Sequence, residues 1–260
     1  MIAEAIDGRT AGDVELIVVY DLIPERAEKL ASSLTKKPIV AKDGDELLKN
    51  KHIQIIIEAA SQEAVRQYTI KALTLNKDVM IMSTGALLDD DLLQQMSDLA
   101  KDKGRRVYVP SGAIVGLDNV KSAAIGRIEE VTLTTRKPPP SFQGAPFVER
   151  GKIDLSSFKK PTVLFEGSAR EAVKLFPQNV NVSASLSLAG IGADKTKVII
   201  IIDPKAKEII HEVRVKGEFG ELQTKTINKP FPANPKTSYI AALSAIATLR
   251  KISGSVIVGT

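Results

Sequence analysis

Through the first 110 residues, apolar positions gather into short, nearly continuous runs separated by stretches with helical spacing. Val14–Tyr20 (VELIVVY), Ile53–Ile57 (IQIII), Asp78–Met82 and Arg106–Val109 predict four buried strands. A strand covered on both faces has no polar side to show, so it reads as an unbroken apolar run. Between the strands, Pro24–Leu34, Gln62–Leu75 and Leu92–Asp102 predict helices, the first with proline in its opening turn. Met1–Gly8 (MIAEAIDG) reads as the tail of a further helix. Strands alternating with helices imply βαβ units and a parallel sheet. Small and polar residues follow the strands: Glu58-Ala59-Ala60-Ser61, Ser83-Thr84-Gly85-Ala86 and Pro110-Ser111-Gly112-Ala113. Open α/β sheets bind ligands at these C-terminal strand ends.

Beyond about residue 127 the predicted strands lie closer together: Glu130–Arg136, Lys197–Ile202, Glu208–Lys216 and Gly220–Ile227. The run from His211 to Lys216 alternates polar and apolar residues, the pattern of a strand with one wet face. Helices are predicted near Ser168–Phe176, with Ser168 and Glu171 spaced as a capping box, and near Val182–Leu188. Asn234-Pro235-Lys236-Thr237-Ser238 has the chemistry of a helix start, Asn as N-cap and Pro at the first helical position, and predicts a closing helix through Lys251. The expected fold is α/β: a Rossmann-type parallel-sheet domain (residues 1–110 plus 235–260) and an α+β substrate and oligomerisation domain (111–234) with an antiparallel or mixed sheet. The Pro/Gly-rich stretch Lys137–Gly151 predicts a loop.

Composition narrows the function classes. The chain has 260 residues and no cysteine, which removes disulfides, thiolate nucleophiles and thiolate metal sites. Its net charge of +5 is scattered, and aromatics make up only 4%, which does not fit a nucleic-acid interface. No apolar run reaches the ~20 residues of a membrane span, and no basic and apolar leader opens the sequence, so a cytoplasmic protein is expected. With two histidines, His52 and His211, far apart in sequence, no metal site is expected.

Few residues remain that could carry chemistry. Asp21 ends what would be the second strand of a dinucleotide fold, where a carboxylate accepts hydrogen bonds from the adenosine ribose and disfavours a 2′-phosphate. Arg26 nearby softens that preference, and a solvated strand-end Asp fits the same pattern. Ala60 and Ser61, just beyond the IQIII strand, are candidate cofactor contacts. His211 titrates near neutrality in its unperturbed state and is the candidate acid/base, against the plainer reading of a packed strand histidine. His52, among Lys49, Asn50 and Lys51, reads as solvated. Asn179 and Asn181 lie between two predicted helices, as ligand donors and acceptors or as ordinary capping residues. Lys236, Thr237 and Ser238, at the expected helix start, suit a substrate carboxylate or a simple cap.

Several segments occur in a telling order: IEAAS (57–61), STGA (83–86), VPSGAIVGLD (109–118), VTLTTRK (131–137), FEGS (165–168), FPQNVNV (176–182), the strand around His211 with GEFGE (217–221), and NPKTS (234–238). From about residue 14 onward the chain resembles the archaeal and bacterial L-aspartate dehydrogenase family. The resemblance implies oxidation of L-aspartate with NAD or NADP to iminosuccinate, which hydrolyses to oxaloacetate and ammonia or feeds quinolinate formation in NAD biosynthesis. It implies a homo-oligomer, with the family's active-site histidine at His211 and nicotinamide contacts at Ala113 and at Asn181 or Asn179. Two other readings stand beside it: a nucleotide-binding protein of this fold that has lost catalysis, and a dehydrogenase of another small acid. Members of the family place a strand and a G-x-G-x-x-G-like turn before the helix whose tail is Met1–Gly8. The sequence begins after them, and the expectation is a late start rather than a lost element. No position here matches the family's phosphate-binding residues.

Overall fold

The computed structural model describes residues 1–177, 180–232 and 234–259, without the side chains of Pro235 and Lys236. The chain forms two compact units, Met1–Pro110 with Ala245–Val258, and Ser111–Ser244 with Gly259. No helix among the described residues is long and apolar enough to cross a membrane.

The first unit runs α1 (Ile2–Asp7), β1 (Val18–Val19), α2 (Pro24–Ser33), β2 (Ile39–Val40), α3 (Gly44–Lys49), β3 (Ile55–Glu58), α4 (Gln62–Thr74), β4 (Asp78–Ile81), α5 (Asp90–Lys103) and β5 (Val107–Tyr108). Short polar side chains set the helix starts. Asp43, Ser61 and Asp89 each accept a hydrogen bond from the backbone N–H three residues on, filling donors that a helix leaves open. Gly104 ends α5 in the left-handed conformation, with φ of 60°. All strand pairs here are parallel. They form two sheets, β1–β2 and β3–β4–β5, and no ladder among the described residues joins β1 to β3.

That division corrects the first predicted strand. Only Val18–Val19 of the Val14–Tyr20 run is in a ladder, against Ile39–Val40. Leu16, Ile55 and Ile57 instead pack against an apolar cluster of Ile6, Ala11, Met80, Ala245, Ile246 and Leu249. Ile55–Ile57 are therefore half-buried, although their sequence is that of a fully covered strand.

The second unit contains α6 (Leu117–Ala123), β6 (Ile128–Lys137), α7 (Pro146–Gly151), β7 (Thr162–Ser168), α8 (Ala169–Leu175), α9 (Asn181–Ala189), β8 (Thr196–Ile202), β9 (Ile209–Gly217), β10 (Gly220–Asn228), β11 (Pro230–Phe231) and β12 (Asn234–Ser238), and the first turns of α10 (Tyr239–Ser253). Its main sheet is mixed, in the order β10–β9–β6–β8–β7, with β6 and β8 parallel and the other neighbours antiparallel. The capping box at α8 forms: Ser168 Oγ accepts from the Glu171 N–H, and the Ser168 N–H donates to Glu171 Oε2 at 2.8 Å.

The closing helix does not start at Asn234. Residues 234–238 extend as β12 against β11, and the Tyr239 N–H donates to the Lys229 carbonyl at 2.9 Å. Pairing with Pro230–Phe231, and the Phe231 ring on Tyr239 at 5.8 Å, outweigh the local capping chemistry. Asn234 is therefore no N-cap, and Lys236, Thr237 and Ser238 do not sit in a helical first turn.

The proline-rich stretch is held by aromatic packing. Phe142, Phe147 and Phe165 surround Phe176 with ring centroids at 6.2, 5.1 and 5.8 Å. Phe142 and Phe176 have no exposed surface, so residues 139–151 close over a core of their own. Phe176→Ala should cost about 3–5 kcal/mol of stability, the usual range for a buried phenyl ring left as a cavity. Urea unfolding measures this, and a much smaller loss would show that the cluster is not a fixed core.

Candidate active site

The side chains of a strand alternate between its faces. On β6, Val131, Leu133, Thr135 and Lys137 are buried; on β9, Ile209, His211, Val213 and Val215 are buried. Val131, Leu133, Val213 and Val215 pack with Val182 and Leu186 of α9 and Val120 of α6 into one apolar cluster. Further along the same face the residue types change. Thr135 lies opposite His211, and His211 opposite Thr226 on β10. An apolar layer thus gives way, within one strand step, to a threonine, a histidine and a lysine.

His211 is 3% exposed, and its Nδ1 lies 2.9 Å from Thr135 Oγ1. Burial pushes its pKa down to about 3, with the positive charge of Lys137 adding to the effect. The imidazole is therefore neutral at physiological pH. Lys137, 4% exposed, is itself lowered to about 8 by burial.

The inward side of β10 reaches the same place. Thr226 Oγ1 donates to the Ala113 carbonyl at 2.9 Å, and Asn228 Nδ2 donates to the same carbonyl at 3.3 Å and to Thr226 Oγ1 at 3.0 Å. Thr226 Oγ1 also lies 3.5 Å from the His211 carbonyl. Thr224 Oγ1 holds the Val115 carbonyl at 3.3 Å. The turn carrying Ala113 is framed by Gly112 and Gly116, with φ of 67° and 87°, where a side chain would be strained. Ala113 and His211 are thus brought together, with Thr226 between them.

The other sequence candidates fall as follows. Asn181 is the half-buried first residue of α9, and Asn179 lies outside the described residues. Thr237 and Ser238 are on β12, which packs beside the Pro139–Phe142 turn that follows Lys137. No described hydrogen bond joins them to His211, and the Lys236 side chain is not described. In the first unit, Asp21 follows β1, and its Oδ1 accepts from the Ile23 N–H at 2.9 Å, which fixes the carboxylate at the strand end. Ala60 and Ser61 are set by Glu58. One Glu58 oxygen accepts from the Ala60 and Ser61 N–H groups at 2.7 and 2.9 Å and from Ser83 Oγ at 2.9 Å. The other accepts from the Ser83 N–H at 2.9 Å. One carboxylate therefore shapes the turns after both β3 and β4.

Sequence reading passed over Glu58, Thr135, Lys137, Thr226 and Asn228. Counting in twos from Val131 and Leu133 points to Thr135 and Lys137. For Glu58, Thr226 and Asn228 the signal is weaker, because only the register or the turn gives them a partner.

The two lowered pKa values predict two pH windows. Between about pH 3 and 6.5 the unfolded His211 binds a proton that the folded one does not. Its contribution to stability is intact above 6.5 and is lost as pH falls, at up to about 1.4 kcal/mol per pH unit. Between about pH 8 and 10.5 the same holds for Lys137, so stability rises with pH there. Urea unfolding across both windows should show H211N flattening the acid slope and K137M the alkaline one; unchanged slopes would assign them to other groups.

Two family models match the chain. Residues 1–110 match the family model described as homoserine dehydrogenase, NAD binding domain, and residues 118–252 match aspartate dehydrogenase, C-terminal. The chain is 51% identical to an L-aspartate dehydrogenase of Methanococcoides burtonii over 248 residues, covering 95% of this chain and 91% of that one. It is 49% identical to that of Methanocella arvoryzae over 259 residues, covering 100% and 94%. The crystal structure of aspartate dehydrogenase from Thermotoga maritima superposes with a TM-score of 0.73 at 30% identity, over 97% of this chain and 95% of that one. The first unit is a Rossmann-type NAD-binding domain, the second is the aspartate dehydrogenase C-terminal domain, and the chain belongs to the L-aspartate dehydrogenase family.

Proposed function

We propose that the protein oxidises L-aspartate with NAD or NADP, releasing iminosuccinate that hydrolyses to oxaloacetate and ammonia. The observation that carries this reading is the buried, neutral His211, joined to Thr135 and, through Thr226, to the Ala113 turn. Several residues suit the cofactor. Asp21 offers a carboxylate to the adenosine ribose. Ala60 and Ser61 form a small-residue turn held by Glu58, and Ala113 and Asn181 stand for the nicotinamide end. Bound NAD(P) supplies the hydride acceptor for the aspartate Cα–H.

The chain's own residues manage the proton. With Nδ1–H donating to Thr135 Oγ1, His211 Nε2 carries the lone pair and takes a proton from the substrate amino group as the imine forms. Thr135 holds the ring in one orientation, and burial keeps bulk water from the nitrogen. Lys236, Thr237 and Ser238 remain candidates for one substrate carboxylate, from an extended strand rather than a helix end. His211→Asn should lower aspartate oxidation by roughly 10²–10⁴-fold while leaving cofactor affinity unchanged. The assay follows aspartate-dependent formation of the reduced cofactor; turnover like that of the unaltered protein in H211N would remove His211 from the role.

A second copy of the chain fits the outer face of the mixed sheet. Register places Val163, Ile201, Arg136, Ile210 and Ile227 in one row across its five strands, with Val163 and Ile227 exposed at 52% and 62%. Four apolar side chains flanking the Arg136–Asp203 ion pair on one sheet face are suited to association. Light scattering should report a dimer or larger, and Ile201→Lys should shift it to monomer; a monomeric unaltered protein at micromolar concentration would refute this.

A further inference from the structure

We infer that Glu58 is a positioning residue for NAD(P), holding in one outline the turns after β3 and β4 against which the bound cofactor lies. This rests on the cofactor contacts proposed at Ala60 and Ser61, and adds the buried group that keeps them in place.

The ladder between β3 and β4 does not need this side chain. Its partners run from Ile55 with Asp78 to Glu58 with Ile81, and the Met82 N–H continues it by donating to the Glu58 carbonyl at 3.0 Å. The Glu58 carboxylate acts beyond the ladder. Only 7% exposed, it takes the Ala60 and Ser61 N–H groups and the Ser83 hydroxyl on one oxygen, and the Ser83 N–H on the other. Ala59, Ala60 and Ser61 themselves are exposed. An exposed run of small side chains thus turns two of its N–H groups inward to a buried carboxylate. The place is the C-terminal end of two parallel strands, where open α/β sheets bind ligands, in a unit that matches an NAD-binding domain.

The opposite end of the same sheet is fastened by other means. Lys77, just before β4, is 4% exposed, and its Nζ donates to the Asn50 and Ile53 carbonyls, ahead of β3, at 2.6 and 2.8 Å. β3 and β4 are therefore tied at both ends, by a lysine at the start and a glutamate at the finish. The glutamate borders the ligand-binding end; the lysine does not. The glutamate's chemistry is also specific. A carboxylate only accepts, so both of its oxygens can meet donors. An amide of the same shape sets its NH2 either against the Ser83 N–H or against the three donors on the other side. Glutamine can therefore hold one turn, and not both.

The test compares Glu58→Gln with Lys77→Met, which loosens the same sheet at its far end. NADH and NADPH are titrated calorimetrically into each protein without aspartate, and melting is followed alongside. Both variants should melt lower than the unaltered protein. E58Q should raise Kd about tenfold for whichever reduced cofactor binds, the scale of losing one hydrogen bond to a charged group. K77M should leave that Kd unchanged. Should E58Q not fold, E58D takes its place: it keeps the charge, stops a bond short of both turns, and should weaken the cofactor likewise. A folded Glu58 variant with unaltered cofactor affinity overturns the inference. So does a loss of affinity in K77M as large as that in E58Q, which would make the effect one of general stability. In either case the cofactor reading stands. Failure of the unaltered protein to bind either reduced cofactor overturns both.

Discussion

The site depends on one register: Thr135 on β6 directly opposite His211 on β9. Because side chains alternate along a strand, this pairing also decides that Lys137, Val131 and Leu133 share the face of His211, and that Arg136 and Thr134 do not. A slip of one residue would turn His211 outward and bring Ile210 in. The apolar half of the face guards against that slip. Val131, Leu133, Val213 and Val215 must stay against α9 and α6 to remain out of water, and they hold the polar half in place.

That arrangement explains why the polar residues cost stability. Each apolar layer of the sheet favours folding, whereas His211 and Lys137 are carried into the same dry environment at a cost to their charged forms. Both are pushed toward their neutral forms. A neutral imidazole with one nitrogen fixed by a hydroxyl is prepared to accept a proton. Catalytic chemistry needs groups whose protonation is poised by surroundings rather than by water, and these surroundings are built by neighbouring valines and leucines.

The NAD-binding unit uses a different device. Its turns after β3 and β4 are tied by the single carboxylate of Glu58, which receives three backbone N–H groups and one hydroxyl. Backbone groups at strand ends have no ladder partner, and buried N–H donors need an acceptor. Glu58 supplies it to both turns at once, so the small residues Ala60, Ser61 and Ser83 keep a fixed outline.

Much of this was legible in order of residues alone. Apolar runs announced the parallel strands, strict alternation announced β9, and the Ser168 capping box formed as its spacing required. His211 and Asp21 could be named as candidates from their types and positions, and Ala113 only through the family resemblance. The misreadings share a cause: local chemistry was weighed without a distant partner. NPKTS has every local feature of a helix start, yet β11 lies in reach and takes it as a strand. VELIVVY reads as a long strand, yet only two of its residues are in a ladder. Thr135 read as a strand polar residue and Lys137 as the start of a loop, until register placed both on the inward face that carries His211. The sequence by itself determined which residues want to be buried and with what period. Tertiary structure alone decided which polar residues were carried inward with them, because a strand buries every second residue whether or not that residue is apolar.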